Sequence, residues 1–160
     1  MRHLIERVLE LSDEEVVPQL TPQPAGQGTD EELRALLESL QPRIRVYGVG
    51  GAGCNAVGRL ESEGLFENSF VTGYAINTDA QALLMSPLEN KILIGRTARG
   101  RGAGGDPTKG EAAALESEMS LRTITTDTQL AIIAAGMGGG SGTGAAGHIA
   151  RLAKQQGAMT

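Results

Sequence analysis

The 160-residue chain has no tryptophan, a single cysteine and only 2% aromatic residues. With so few rings the core must come from Leu, Ile, Val and Ala, the mixture of helix-covered parallel sheets rather than of β-sandwiches. One thiol excludes an internal disulfide and fits a cytosolic chain. No apolar run reaches the roughly 18 residues that a membrane-spanning helix needs, and the N-terminus lacks a signal-peptide pattern. Basic residues are also scarce, 14 Lys and Arg against 19 Asp and Glu for a net charge of −5. That balance speaks against a nonspecific nucleic-acid surface. A soluble, cytoplasmic protein of about one domain is expected.

Glycine is what the chain has in excess, 23 residues, and they are clustered. "GMGGGSGTG" (136–144) puts six glycines into nine residues directly after the apolar run "LAIIAA" (130–135). Glycine loses more backbone entropy on ordering than any other residue, so this density implies that something approaches the backbone closely.

Residues 1–42 read as an extension. "MRHLIERVLELSDEE" has an amphipathic helical pattern, and "PQLTPQPAGQG" (18–28) has the composition of a flexible linker. Thr29 and Glu32 form a capping box for a second helix that Pro42 helps to stop. From Arg43 the pattern becomes strand and helix in alternation: strands at "RIRVYGV", "FVTGYAIN", "KILIG" and "LAIIAA", and helices at 52–64, 106–120 and 143–157. Alternation of this kind specifies an α/β fold, a doubly wound parallel sheet. Ligands of such sheets bind beyond the carboxyl ends of the strands, where every glycine cluster of this chain falls.

The first cluster, "GVGGAG" (48–53), fits G-x-G-x-x-G between a strand and a helix, where backbone amides and the helix dipole suit a phosphate. The second, "RGRGAGGDP" (99–107), reads as a mobile loop entering a helix capped by Asp106 with Pro107 at its first position. The third is 136–144, which lacks the Lys-Ser/Thr ending of a Walker A loop. Glycine loops on two strands aimed at one sheet edge suggest a single ligand with several phosphates, and a methyl at Gly142 is expected to obstruct it. Arg96, Arg99 and Arg101 are placed to steer a polyphosphate. His3 and His148 stand alone, without a second ligand at metal spacing. Glu116–Glu118 reads as a solvated helix face. Cys54 lies just inside a helix N-terminus, an environment that favours the thiolate, but it reads first as a small residue filling a tight loop. Nothing positions a base beside Ser141, so Ser–His–Asp chemistry is not expected.

"GVGGAGCNAVGRL", "AINTDAQAL", "RGRGAGGDPTKG" and "AAGMGGGSGTGAAGHIARLAKQQGAMT" together resemble, in order and spacing, the successive nucleotide-binding segments of the tubulin/FtsZ family. The resemblance covers residues 43–160, and the N-terminal extension is similar to that of archaeal members. It implies a Rossmann-like GTPase domain that binds GTP or GDP with Mg²⁺, hydrolyses GTP at subunit interfaces and assembles head to tail into division-ring filaments. Gly50, Gly51, Ala52, Gly53 and Asn55 fall on its first loop. Asn77, Thr78 and Asp79 follow the second strand, Asp79 holding Mg²⁺ through water. Ala103, Gly104 and Gly105 match the loop that senses the γ-phosphate. Gly138, Gly139, Gly140, Ser141, Gly142, Thr143 and Gly144 form the signature phosphate cradle, with Ser141 where threonine is usual.

Implied partners are further copies, full-length FtsZ and other division-ring proteins at the division site, with membrane contact only through an anchor protein. The family has about as much sequence again beyond the position of Thr160, including the helix that grips guanine and the acidic loop that completes hydrolysis on a neighbour's nucleotide. The chain is therefore expected to be a fragment or truncated product, incomplete at the C-terminus of the domain. It is expected to turn over GTP poorly alone, with "LAIIAA" left as an unpaired sheet edge. The family's catalytic residues lie outside it. Two alternatives remain: a non-catalytic scaffold or filament regulator, and a dinucleotide-binding oxidoreductase with Asp79 as the ribose acid.

Overall fold

The structure is a computed structural model that describes residues 29–67 and 70–160. The first helix and the linker expected within residues 1–28 lie outside the described residues. The chain divides after Leu40. On the N-terminal side, α1 (Asp30–Leu40) opens with the expected reciprocal box. Glu32 N–H donates to Thr29 Oγ1 at 3.3 Å, and Thr29 N–H to Glu32 Oε2 at 3.1 Å.

The second unit is a parallel four-stranded sheet in the order β3-β2-β1-β4. Its strands are β1 (Ile44–Val49), β2 (Val71–Asn77), β3 (Asn90–Leu93) and β4 (Leu130–Ala135). The helices are α2 (Gly50–Ser62), α3 (Ala80–Met85), α4 (Pro107–Glu116), α5 (Glu118–Thr125) and α6 (Gly140–Gln155). Alternation along the central strand splits the core. Tyr47 and Val49 pack with Ile76 against Ala114, Leu121 and Ile149 of α4–α6. Val46 packs with Ala75 against Cys54, Val57 and Leu83 of α2 and α3. Helices therefore cover both faces, as the alternating pattern predicts.

Register is what builds the site. Val49 pairs with Ile76 on one side and with Ala135 on the other, and Asn77 pairs with Leu93. The carboxyl ends of all four strands thus lie level, and the segments leaving them gather along one rim. β4 sits at the sheet edge, with Ile132 47% exposed. Its first residues are nevertheless paired: Met159 accepts from Ala131 N–H at 2.7 Å and donates to Gln129 at 2.8 Å.

Three readings are corrected. Residues 106–120 do not form one helix. The chain breaks at Ser117 (φ −100°, ψ 16°), whose Oγ accepts from Gly95 N–H at 3.0 Å, and α5 follows. Glu116–Glu118 is not a free solvated face. Glu116 accepts from both Thr97 N–H and Thr97 Oγ1–H, and Glu118 pairs with Arg122 at 2.9 Å. The 99–107 segment is tied along its length, with Ala80 N–H donating to Gly100 O and Gly102 N–H to Thr78 O.

Candidate phosphate-binding site

α2 begins at the residue after β1, and α6 begins five residues beyond the last residue of β4 that carries a ladder partner. Both swallow their glycine motifs, so the first turns are glycine-built and start earlier than sequence pattern alone indicates. Gly50 makes the strand-to-helix corner possible with φ +72°, a conformation that glycine alone adopts without strain. Its α-carbon abuts the other loop: a Cβ there would sit 2.7 Å from the backbone nitrogen of Gly142. The two helix N-termini are side by side.

The four helices that leave this rim differ at their first turns. Asp79 caps α3, its Oδ1 accepting from Gln81 N–H at 2.9 Å and Ala82 N–H at 3.1 Å. Asp106 caps α4, accepting from the Thr108 N–H and hydroxyl, and these bonds hold its carboxyl below the usual carboxylate range. α2 and α6 have Val49 and Gly139 at the cap position and no side-chain cap bond. Their first amides have no intrahelical partner, so the positive ends of two dipoles converge without a carboxylate.

Between them lies a cleft of about 360 Å³ lined by residues 49–52 and 136–142. The glycines around it fall into two sets. Gly53 and Gly144 touch protein: a Cβ would come within 2.1 Å of Ala134 O and of Pro107 O respectively. Gly140 and Gly142 are equally confined, by Ala103 and by the carbonyls of Gly136 and Val49. Gly51, Gly138 and Gly139 face open space, as do Gly104 and Gly105, which do not line the cleft. A methyl at Gly142 therefore meets the protein's own backbone, which corrects the expectation that it would report on a ligand.

Gly50, Gly51, Ala52, Gly138, Gly139, Gly140, Ser141 and Gly142 share this cleft. Thr143 supports it by accepting from Gly138 N–H at 3.0 Å. Asn55 lines an adjoining groove that shares Gly51. Asn77 and Thr78 are buried, and Asn77 Oδ1 is bonded to the amides of Thr78 and Asp79. Thr78 and Ala103 line a different cavity, beside Lys109 and Glu116. Val49, Gly136 and Met137 line the cleft although sequence reasoning omitted them. Gly136 was visible within the quoted glycine run, whereas Val49 and Met137 carry no compositional signal.

Cys54 is buried, and its Sγ–H donates to Gly48 O at 3.3 Å. Burial pushes its pKa up, in keeping with a small residue packed into a tight loop rather than with a thiolate. His148 is also buried, 3.7 Å from Glu118 Oε2. Arg96, Arg99 and Arg101 are exposed.

Free helix ends above a level parallel rim, walled by open glycines, define a class: α/β folds organised to take a polyanion at the carboxyl ends of their strands. The sequence comparisons narrow the class. Residues 43–160 match the Tubulin/FtsZ family, GTPase domain, and the chain belongs to that family. Cell division protein FtsZ 1 of Pyrococcus abyssi is 46% identical over 162 residues, covering all of this chain and 42% of that protein. Cell division protein FtsZ 1 of Halobacterium salinarum is 44% identical across 86% of this chain and 34% of its own length. Among solved structures, the empty FtsZ dimer of M. jannaschii matches with a TM-score of 0.74 at 43% identity, covering 82% of this chain and 38% of that one. GDP-bound monomeric CetZ1 of Haloferax volcanii matches at 0.62 and 26% identity, over 71% of this chain and 38% of its own. The chain thus spans less than half the length of these relatives. No helix among the described residues is long and apolar enough to cross a membrane.

Proposed function

We propose that this chain is the nucleotide-binding part of an FtsZ-type cell-division GTPase, and that it takes GTP or GDP with the phosphates on the first turns of α2 and α6. The observation that carries this reading is the convergence of two uncapped helix N-termini beside glycines that face open space. Residues 43–160 form the binding part, and residues 1–42 an extension. Gly51, Ala52, Gly138, Gly139 and Ser141 present their backbone to the phosphates. Gly50, Gly53, Gly140, Gly142 and Gly144 let the loops pack closely enough to form the cradle. Asn55 lies toward the nucleoside side.

Magnesium, when bound, neutralises phosphate charge and helps to orient the phosphates. Asp79 is the carboxylate offered to such an ion, through water, by its Oδ2, since its Oδ1 is committed to two amides.

In the longer protein, hydrolysis takes place where a neighbouring copy meets this face, and copies join head to tail into filaments at the division site, in the cytoplasm. The dimeric state named for the M. jannaschii FtsZ and the GTPgS-bound protofilament named for the H. volcanii CetZ2 support this assembly.

Equilibrium binding of a fluorescent GTP analogue to residues 1–160 tests the reading. GTP and GDP should displace the probe, and NAD should not. Gly139→Ala should weaken binding about tenfold or more, since a charge-assisted hydrogen bond is worth about 1.5–3 kcal/mol. Alanine suits the backbone at this position (φ −93°, ψ 170°), and its methyl meets no protein atom. Unchanged affinity in a folded Gly139→Ala protein, or displacement by NAD alone, overturns the proposal.

A further inference from the structure

Thr78 is only 1% exposed, yet each of its polar groups is bonded. Its N–H donates to Asn77 Oδ1 at 2.8 Å, its carbonyl accepts from Gly102 N–H at 3.2 Å, and its hydroxyl lies 2.6 Å from Ser141 Oγ. One buried residue at the end of β2 thereby bonds to two segments distant in sequence, the 99–106 loop and the first turn of α6. The loop also touches that turn directly, for a Cβ on Gly140 would sit 2.7 Å from the Ala103 Cβ.

The loop is not packed solid underneath. A cavity of about 180 Å³ lies under it, lined by Thr78, Thr97, Lys109 and Glu116 among others. Arg99, Gly100, Gly102, Gly104 and Gly105 all have positive φ, and the path is held by discrete bonds together with packing at Gly100 and Ala103.

We propose that Thr78 is a positioning residue that couples Ser141 to the Gly100–Gly105 loop through its hydroxyl and its carbonyl, without touching the ligand. Among the described bonds neither hydroxyl has another partner, so either can donate; an anion that accepts the Ser141 proton selects the arrangement in which Thr78 donates. An anion that engages Ser141 then tightens the Thr78–Gly102 bond and fixes the loop wall beside it. The role toward an anion rests on the phosphate-site reading above, whereas the coupling itself exists without ligand.

Amide hydrogen exchange by NMR, first without nucleotide, tests the coupling. Ser141→Ala, a change that leaves every residue of the loop in place, should speed Gly102 N–H exchange about fivefold, the equivalent of one net hydrogen bond. Thr78→Val should do the same, Thr78→Ser should restore the slow rate, and the double variant Thr78→Val with Ser141→Ala should go no further than either single. A wild-type Gly102 rate in Ser141→Ala overturns the proposal and leaves Thr78 as packing alone. With GTP present, Gly102 exchange should slow in the wild type and change less than about twofold in Thr78→Val. Equal slowing in both proteins also overturns it. If the wild type binds no GTP, the phosphate-site reading fails, and the ligand-free Gly102 rates decide the coupling independently.

Discussion

Two pairs of helices leave the same rim of this sheet and begin in opposite ways. α3 and α4 start under the carboxylates of Asp79 and Asp106, which consume the first amides and oppose the helix dipole. α2 and α6 start under Val49 and Gly139, with no side chain offered to their amides. A fold satisfies exposed helix ends cheaply with Asp, Ser or Thr, and at this rim α3 and α4 are finished in that way. The two uncapped ends abut each other, with the Gly50 α-carbon against the Gly142 amide. The difference separates helix ends that serve the fold from helix ends held open for an anion.

The contrast can be broken most strongly at a packed glycine. Gly53→Ala places a methyl 2.1 Å from Ala134 O and should cost about 3 kcal/mol, the upper part of the usual overpacking range, read as a fall in the urea midpoint. An unchanged midpoint would mean that the first turn of α2 is not pressed against β4.

Converting an open end into a capped one comes next. Gly139→Asp should stabilise the free protein by a few tenths of a kcal/mol while weakening GTP binding about a hundredfold, because the new carboxylate takes the amides and repels phosphate. Denaturation and binding measured on the same sample would register the opposite signs.

Gly51→Ala is subtler. Its methyl meets no protein atom within 4 Å and helix propensity improves by up to about 1 kcal/mol, so stability should hold or rise while GTP affinity drops about tenfold.

The smallest effect concerns a capped end. The Asp106 carboxyl titrates below its unfolded value, so its contribution is present at neutral pH and is lost as pH falls below about 4. Asp106→Asn should therefore flatten the acid limb of a stability–pH curve and leave GTP affinity unaltered.

Much of this architecture was legible in the sequence. The four strands and the long helices follow from apolar runs alternating with periodic segments, and the glycine clusters announced the rim. The function of each glycine was not legible. Gly51 and Gly53 are two residues apart in one motif, yet one faces open space and the other is pressed against Ala134 O. Only the pairing of β1 with β4 decides which is which. The break at Ser117 was equally hidden, because "ALESEMS" has continuous helical character and the kink depends on a bond from Gly95, 22 positions earlier. α3 escaped notice because Leu83 alone is buried while Leu84 and Met85 stand exposed, leaving no helical period to read. Cys54 shows a local rule yielding to a tertiary one: the helix N-terminus favours a thiolate, and burial wins.

The most direct test of the central claim is a titration of GTP into ¹⁵N-labelled protein, followed amide by amide. The account predicts that Gly51, Ala52, Gly139 and Ser141, at the uncapped ends of α2 and α6, shift most. Gln81, Ala82 and Thr108, the amides already bonded to Asp79 and Asp106, should stay in place. Shifts at the capped ends equal to those at the uncapped ends, or no shift at Gly51 and Ser141 under saturating nucleotide, would contradict it.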